Sequence, residues 1–158
     1  MNIHGITYPD VNNGLGCRVT LWVSGCIHHC HGCHNQETWD FNSGRKFTLD
    51  DKTKLFEILS LPYIKGLTLS GGDPLCSYGE VLALVKEIKE NFTSKDIWLY
   101  SGFTLEYIKE HFEEILKYLD VIVDGKFIKE LKDVSLPFRG SSNQNIWKIE
   151  NGKFTKVL

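Results

Sequence analysis

Short apolar segments alternate with longer amphipathic segments through most of the chain. Residues 17–24 (CRVTLWVS) are rich in β-branched and aromatic side chains, which is typical of a strand. Further short apolar runs predict core strands at residues 67–69, 97–100 and 121–123. Between these runs, apolar residues recur at helical spacing, so that strands and helices alternate. This alternation predicts right-handed βαβ units with parallel strands.

Polar residues at the beginnings of the amphipathic segments predict where the helices begin. Thr48, with Asp51 three residues later, has the pattern of a capping box. Ser77 and Glu80 repeat that pattern before the next helical segment. We therefore expect the hydroxyl groups of Thr48 and Ser77 each to accept a hydrogen bond from a backbone N–H in the first turn of a helix.

The number of strands predicts the fold class. Four or five parallel strands are too few for a closed barrel of eight strands. Near the end of the chain the alternation stops, and residues 145–157 predict a hairpin around the favoured turn Asn151-Gly152. We therefore predict an α/β fold, an open, partial (β/α) barrel with mainly parallel strands, in a single domain of residues 1–158.

Composition and charge argue against two classes of partner. The 158 residues carry a formal net charge of −2 without a run of Lys or Arg, whereas nucleic-acid binding requires clustered positive charge. No apolar run approaches the roughly 20 residues that a membrane-spanning helix needs. The first ten residues lack the basic and apolar regions of a signal peptide. We expect a cytoplasmic protein that binds neither nucleic acid nor a membrane.

Residues 25–46 predict a long loop, because they have no sustained apolar period. Long loops inside compact domains are usually functional. Three of the five cysteines lie here with the spacing Cys26-x3-Cys30-x2-Cys33. Three thiolates on one loop can bind three irons of a 4Fe–4S cluster, and the fourth iron then stays open to a substrate. Cys17 and Cys76 are interpreted as ordinary small, partly buried residues.

The spacing alone leaves two other interpretations of this loop open. Structural zinc sites often combine three cysteines with one histidine, and four histidines lie near the cysteines. A zinc-stabilised binding module without catalysis is therefore the main alternative. A dithiol redox motif at Cys30 and Cys33 is the other, and it leaves Cys26 without a role. The histidines between the cysteines are interpreted as exposed polar residues of the loop: His28, His29 and His31.

Each unusual segment of the chain directly follows a predicted strand. Ligands bind at the carboxyl ends of parallel strands, so these segments should meet at one edge of the sheet. The glycines in residues 70–74 let backbone groups approach a ligand closely. A side chain at Gly72 should therefore fill space that the ligand needs. Asp124 and Lys126 are weaker candidates for site residues, because a simple turn after the fourth strand explains their presence. The segments are the cysteine loop, residues 70–74 (SGGDP), Ser101-Gly102 and residues 124–126.

These motifs together resemble the radical S-adenosylmethionine superfamily. The resemblance begins with the cysteine triplet after one strand and Gly-Gly-Asp-Pro after the next. Within the superfamily, the chain resembles the activating proteins of the anaerobic ribonucleoside-triphosphate reductase, which are glycyl-radical enzyme activases. The resemblance covers nearly the whole chain and rests on residues 8–10, 14–18, 24–26, 32–35, 38–39, 66–74, 96–102, 120–126 and 139–144.

The resemblance implies an oxidoreductase with a 4Fe–4S cluster and S-adenosylmethionine as cofactors. Reductive cleavage of S-adenosylmethionine at the cluster would give methionine and a 5′-deoxyadenosyl radical. That radical would generate a glycyl radical on the large subunit of the reductase, which is the implied partner. The implied electron donor is an external one, such as flavodoxin or a thiol reductant. The fold it implies is the partial barrel of the superfamily.

The resemblance also implies a role for individual residues. The cysteines of the triplet would be the iron ligands. Many members of the superfamily have an aromatic residue just before the third cysteine, where this chain has Gly32, so the ring of His34 would pack on adenine instead. The implied contacts of S-adenosylmethionine are Gly32, Cys33 and His34 at the adenine, Gly71 and Gly72 at the methionine moiety, and Tyr100, Ser101 and Gly102 at the methionine or ribose region.

Overall fold

One mixed sheet of eight strands runs through the chain. The structure is a computed structural model that describes all residues from Met1 to Leu158. The strands are β1 (Asn2–Asp10), β2 (Arg18–Val23), β3 (Arg45–Lys46), β4 (Gly66–Gly71), β5 (Asp96–Tyr100), β6 (Val121–Asp124), β7 (Asn145–Glu150) and β8 (Lys153–Val157). The α-helices are α1 (Leu49–Leu59), α2 (Tyr78–Asn91) and α3 (Leu105–His111). Short 3₁₀ helices span Gln36–Thr38, Pro74–Ser77, Glu113–Lys117 and Lys129–Leu131.

The sheet is open, and its strand order is β3-β1-β2-β4-β5-β6-β7-β8. The prediction of an open α/β fold is confirmed. The prediction of mainly parallel strands is wrong. Only β2–β4, β4–β5 and β5–β6 pair in parallel, whereas β1–β2, β1–β3, β6–β7 and β7–β8 are antiparallel. The physical reason is that short connections join β1 to β2 and β7 to β8, and such connections allow only antiparallel pairing. The longer segment between β6 and β7 contains no α-helix that could carry the chain back across the sheet for parallel pairing.

Strand β1 is absent from the sequence prediction because its residues look unsuited to a strand. Gly5 and Pro9 lie inside it, and both residue types weaken a regular strand. The pairing of β1 with β2 is accordingly irregular, with shifts of register between Ile3 and Gly5 and between Thr7 and Asp10. These bulges accommodate the two residues. The hairpin predicted around Asn151-Gly152 is confirmed as β7 and β8.

The main hydrophobic core lies between one face of the sheet and the helices. Alternate apolar residues of the central strands are buried there: Val19, Leu21 and Val23 of β2, Leu67 and Leu69 of β4, and Ile97 and Leu99 of β5. The opposite face is more polar, and Arg18 is fully buried on it. Its guanidinium donates to Thr68 Oγ1 (2.8 Å) and Asp96 Oδ1 (2.5 Å) and lies over the Trp98 ring.

None of the helices combines the length and the hydropathy that crossing a membrane requires.

The two predicted capping boxes have different outcomes. At α1 the prediction is confirmed, since Thr48 Oγ1 accepts from the Asp51 backbone and the Asp51 carboxylate accepts from the Thr48 backbone. At α2 it is wrong, because Ser77 makes no side-chain cap bond. The chain turns one step earlier, in the 3₁₀ helix Pro74–Ser77. The Asp73 carboxylate caps that helix by accepting from Leu75 N at 3.0 Å.

Candidate functional site

A cavity lies at the carboxyl ends of β2, β4, β5 and β6. The segments that follow these strands meet there, as the sequence predicts for parallel strands. The cavity is also lined by residues that were not predicted as site residues, among them His28, Trp39, Asp73, Phe127 and Gln144. The predicted site residues that line it are Cys26, Cys30, Cys33, Gly71, Gly72, Tyr100, Ser101 and Gly102.

Three free thiols line this cavity, and backbone N–H groups face all three sulfurs. None of the five cysteines of the chain forms a disulfide. N–H donors around a sulfur stabilise its thiolate form, which is the form that binds iron. The donor set therefore fits a cluster with three cysteine ligands. The pairs are His28 N and His29 N with Cys26, Phe127 N with Cys30, and Asn35 N with Cys33.

Burial raises the pKa of Cys26 and of Cys30 above the usual value of a cysteine thiol. At Cys26 the negative charge of Asp73 adds to the rise, while the backbone N–H groups oppose it. Without a metal, both side chains are therefore protonated thiols at neutral pH. Because a metal binds the thiolate, loading of this loop releases protons.

The geometry gives no support to a site for a single zinc ion. A structural zinc ion needs four ligands around one point, at about 2.0–2.3 Å. No three side chains of His, Cys, Asp or Glu in the chain lie close enough together to hold one metal ion. His31 and His34 are both exposed, and His34 packs against Phe127. In a 4Fe–4S cluster, by contrast, each cysteine binds a different iron.

The ends of the cysteine loop are held by backbone hydrogen bonds. Gly25 N donates to Thr38 O (2.7 Å), and Cys26 N donates to Trp39 O (3.1 Å). Asp73 N donates to Gly25 O at 2.9 Å, which joins the loop to the turn after β4. The first cysteine therefore has a fixed position relative to the Gly-Gly turn.

Both glycines of the turn are required by packing of the chain against itself. A Cβ at Gly71 would lie 2.5 Å from Val23 O, and the φ of +109° also favours glycine. A Cβ at Gly72 would lie 2.4 Å from Gly25 O. The expectation that a side chain at Gly72 fills ligand space is therefore wrong in its reason. The space beside Gly72 is occupied by the first residues of the cysteine loop.

The Asp73 carboxylate joins three of the segments around the cavity. Its Oδ2 accepts from Ser101 Oγ (2.9 Å), from Gly102 N (2.9 Å) and from His28 Nε2 (2.6 Å). Its Oδ1 accepts from Leu75 N. The side chain is 1% exposed, so these bonds replace water completely. Ser101 and Gly102, predicted as ligand contacts, use their polar groups to hold Asp73.

Other predicted residues have structural partners of their own. Tyr100 lines the cavity, but its hydroxyl donates to Phe138 O at 2.7 Å, and burial raises its pKa. The buried Asp124 carboxylate accepts from Leu105 N and Asn145 N, which explains its position by structure alone. Lys126 lies on a neighbouring depression rather than in the cavity.

The chain matches the model of a protein family described as a 4Fe–4S single cluster domain over residues 12–147. Three similar proteins all carry the name anaerobic ribonucleoside-triphosphate reductase-activating protein. That of Enterobacteria phage T4 is 47% identical over 154 residues, 96% of this chain and 97% of the relative. That of Vibrio cholerae is 47% identical over 153 residues, 94% and 99% of the two chains. That of Escherichia coli K12 is 43% identical over 148 residues, 91% and 96%.

The chain belongs to this family of activating proteins. The resemblance to these activating proteins is thereby confirmed, and so is the presence of a 4Fe–4S domain. The matched range 12–147 contains every residue that lines the cavity.

In this member of the family, Gly32 and His34 lie outside the cavity lining. Gly32 adopts a φ of +79°, and a Cβ there would lie 3.1 Å from the Lys129 side chain. His34 is exposed and tilts against Phe127, with 5.7 Å between the ring centroids. Phe127 itself lines the cavity, so the segment after β6 contributes an aromatic ring to the wall that the three thiols share.

The interpretation of His28 as an exposed loop residue is wrong. Its side chain is only 5% exposed, whereas His29 and His31 are exposed as predicted. No local pattern distinguishes the three histidines, because burial of His28 depends on Asp73, which lies 45 positions further along the chain. Asp73 had a detectable signal, since Asp before Pro at the start of a helix is a typical cap.

Proposed function

We propose that this chain activates an anaerobic ribonucleoside-triphosphate reductase by reductive cleavage of S-adenosylmethionine at a 4Fe–4S cluster. One observation carries the proposal: three free thiols, Cys26, Cys30 and Cys33, share a cavity with the Gly-Gly turn and the end of β5. Membership of a family named for this activation agrees with it. The proposal includes the finer fold assignment, a radical S-adenosylmethionine domain of residues 1–158.

The three cysteines would hold the cluster, one iron each. When bound, the cluster supplies one electron to the sulfonium of S-adenosylmethionine, which gives methionine and a 5′-deoxyadenosyl radical that removes a Cα hydrogen from a glycine of the reductase. Because the loop offers three thiolates, one iron of the cluster would lack a protein ligand and would be available to the amino acid part of the substrate. The electron is proposed to come from an external donor such as flavodoxin or a thiol reductant.

The chain's own groups would orient S-adenosylmethionine at the edge of the sheet. Gly71 and Gly72 expose backbone groups to the cavity, which suit the amino and carboxylate groups of methionine. Tyr100, Ser101 and Gly102 form the adjoining wall. Gly32 and His34 would reach adenine from outside this wall.

The large subunit of the reductase is the proposed partner. A radical that removes hydrogen must be shielded from solvent, and a second protein surface would cover the open side of the cavity. Ile27, within the cysteine loop, has 62% of its surface exposed, and Ile128, in the segment after β6, has 38%. These apolar side chains beside the cavity fit a site that a partner protein covers.

The direct test is cleavage of S-adenosylmethionine by the chain alone. The protein is reconstituted anaerobically with iron and sulfide and then reduced with dithionite. We expect brown protein that converts S-adenosylmethionine to equal amounts of methionine and 5′-deoxyadenosine. Zinc-loaded protein is the control and should be colourless and inactive. A chain that takes up one zinc ion, but no iron and sulfide, would contradict the proposal.

A further inference from the structure

The imidazole of His28 occupies a small pocket formed by Asp73, Phe103 and Gly102. Its Nε2 donates to Asp73 Oδ2 at 2.6 Å, and its ring meets the edge of Phe103 at 4.5 Å between centroids. The third side of this pocket is Gly102, where a Cβ would lie 2.5 Å from the His28 ring. The absence of a side chain at Gly102 therefore leaves the space that the imidazole fills.

The hydrogen-bond acceptor in this pocket, the Asp73 carboxylate, is itself held in place. The Asp73 carboxylate receives donors from Ser101 and Gly102 at the end of β5 and from Leu75 at the start of a helix. A hydrogen bond to a buried carboxylate is stronger than one between neutral groups. Through Asp73, His28 is therefore attached to the end of β5 and to the start of the 3₁₀ helix Pro74–Ser77.

His28 stands between the first two cysteines of the triplet. The backbone N–H groups of His28 and His29 face the sulfur of Cys26. His29 has a left-handed φ of 49°, a conformation that non-glycine residues rarely adopt, and its ring stacks on Trp39 at 4.5 Å. The side chain of His28 thus holds the backbone that directs N–H donors at one sulfur.

We infer that His28 is a positioning residue that sets the cysteine loop for the cluster through its bond to Asp73. The inference rests on the proposed assignment of Cys26, Cys30 and Cys33 as ligands. Groups that orient metal ligands in this way typically change metal affinity by 10–100-fold when they are removed. Hydrogen bonds to the sulfurs also raise the reduction potential of a cluster, because they stabilise the reduced, more negative state.

The test compares three variants of His28 with a matched control, His31→Ala, which removes an exposed histidine of the same loop. In His28→Ala the anaerobically loaded protein should lose iron to a chelator about 10–100-fold faster than the parent. Its cluster should also have a lower midpoint potential. His28→Leu fills the pocket but provides no hydrogen-bond donor for Asp73, and it should therefore behave like His28→Ala. His28→Gln keeps a donor for Asp73 and should behave like the parent, as should His31→Ala.

The outcomes separate this inference from the proposed function. If the parent and His31→Ala load no iron and sulfide, the assignment of the cysteines fails. If both load the cluster and His28→Leu retains it as well as His28→Gln, the hydrogen bond does not position the loop and the inference is overturned. Denaturant unfolding of the metal-free variants measures any loss of fold. If the metal-free His28→Leu and His28→Gln are equally stable, a difference in midpoint potential between them supports positioning, and equal potentials contradict it.

Discussion

Replacing Cys26, Cys30 or Cys33 by alanine is expected to abolish binding of the 4Fe–4S cluster. Each of these thiols lines the cavity, and each sulfur faces a backbone N–H group. Loss of one ligand leaves only two cysteines for four irons, so the expected effect is complete. Iron and sulfide content after anaerobic reconstitution, together with visible absorbance, measures it.

The remaining two cysteines supply matched controls for this experiment. Cys76 is the stricter of the two, because its thiol faces the backbone N–H of Ile27 in the cysteine loop and the charge of Asp73. Burial raises the pKa of Cys76 to about 11, and the residue does not line the cavity. Cys76→Ala and Cys17→Ala should therefore keep the full cluster. Loss of iron from Cys76→Ala would show that the ligand set is assigned incorrectly.

The second large effect is expected for Gly72→Val, which should lose both the cluster and the cleavage of S-adenosylmethionine. The Cβ would lie 2.4 Å from Gly25 O and 3.0 Å from Thr38 O, and both atoms are backbone. The start of the cysteine loop must then move away from the turn. Forced packing of this kind costs about 1–3 kcal/mol of folding free energy, which is measured by denaturant unfolding.

Gly79→Val is the control for this substitution. Gly79 lies in α2, and a Cβ there would have no heavy atom within 4 Å. This variant should keep its iron, its unfolding free energy and its activity close to those of the parent. If Gly72→Val also folds, keeps its iron and cleaves S-adenosylmethionine at the parent rate, the contact between the Gly-Gly turn and the cysteine loop has no functional role.

The central strands could be predicted from the sequence because each of them is a short apolar run. Strands buried on both sides need no alternation with exposed polar residues. Residues 121–123 are all apolar, and Thr68, between Leu67 and Leu69, is itself buried. The carboxyl ends of these strands could then be placed at one edge. Strand β1 could not be predicted, because Gly5 and Pro9 are tolerated only through bulges that pairing with β2 creates.

The site could be predicted as far as local spacing reaches. Three cysteines within eight positions indicate a metal or redox site whatever the fold, since the ligands lie on one loop. The choice of a 4Fe–4S cluster rests on the resemblance of the other motifs to a known family. The roles of Asp73 and His28 depend on contacts between three separate segments, which only the folded chain brings together. The requirement for glycine at 72 is of the same kind, because the atom that excludes a side chain belongs to Gly25.

The most direct measurement of the central claim is transfer of a glycine hydrogen from the reductase. The large subunit is prepared with deuterium at the Cα of its glycines and is mixed with reconstituted chain, S-adenosylmethionine and dithionite without air. The account predicts a glycyl radical in the EPR spectrum and one deuterium in the 5′-deoxyadenosine formed, and neither of them with Cys30→Ala. Cleavage of S-adenosylmethionine with neither a radical on the reductase nor deuterium in the product would contradict it.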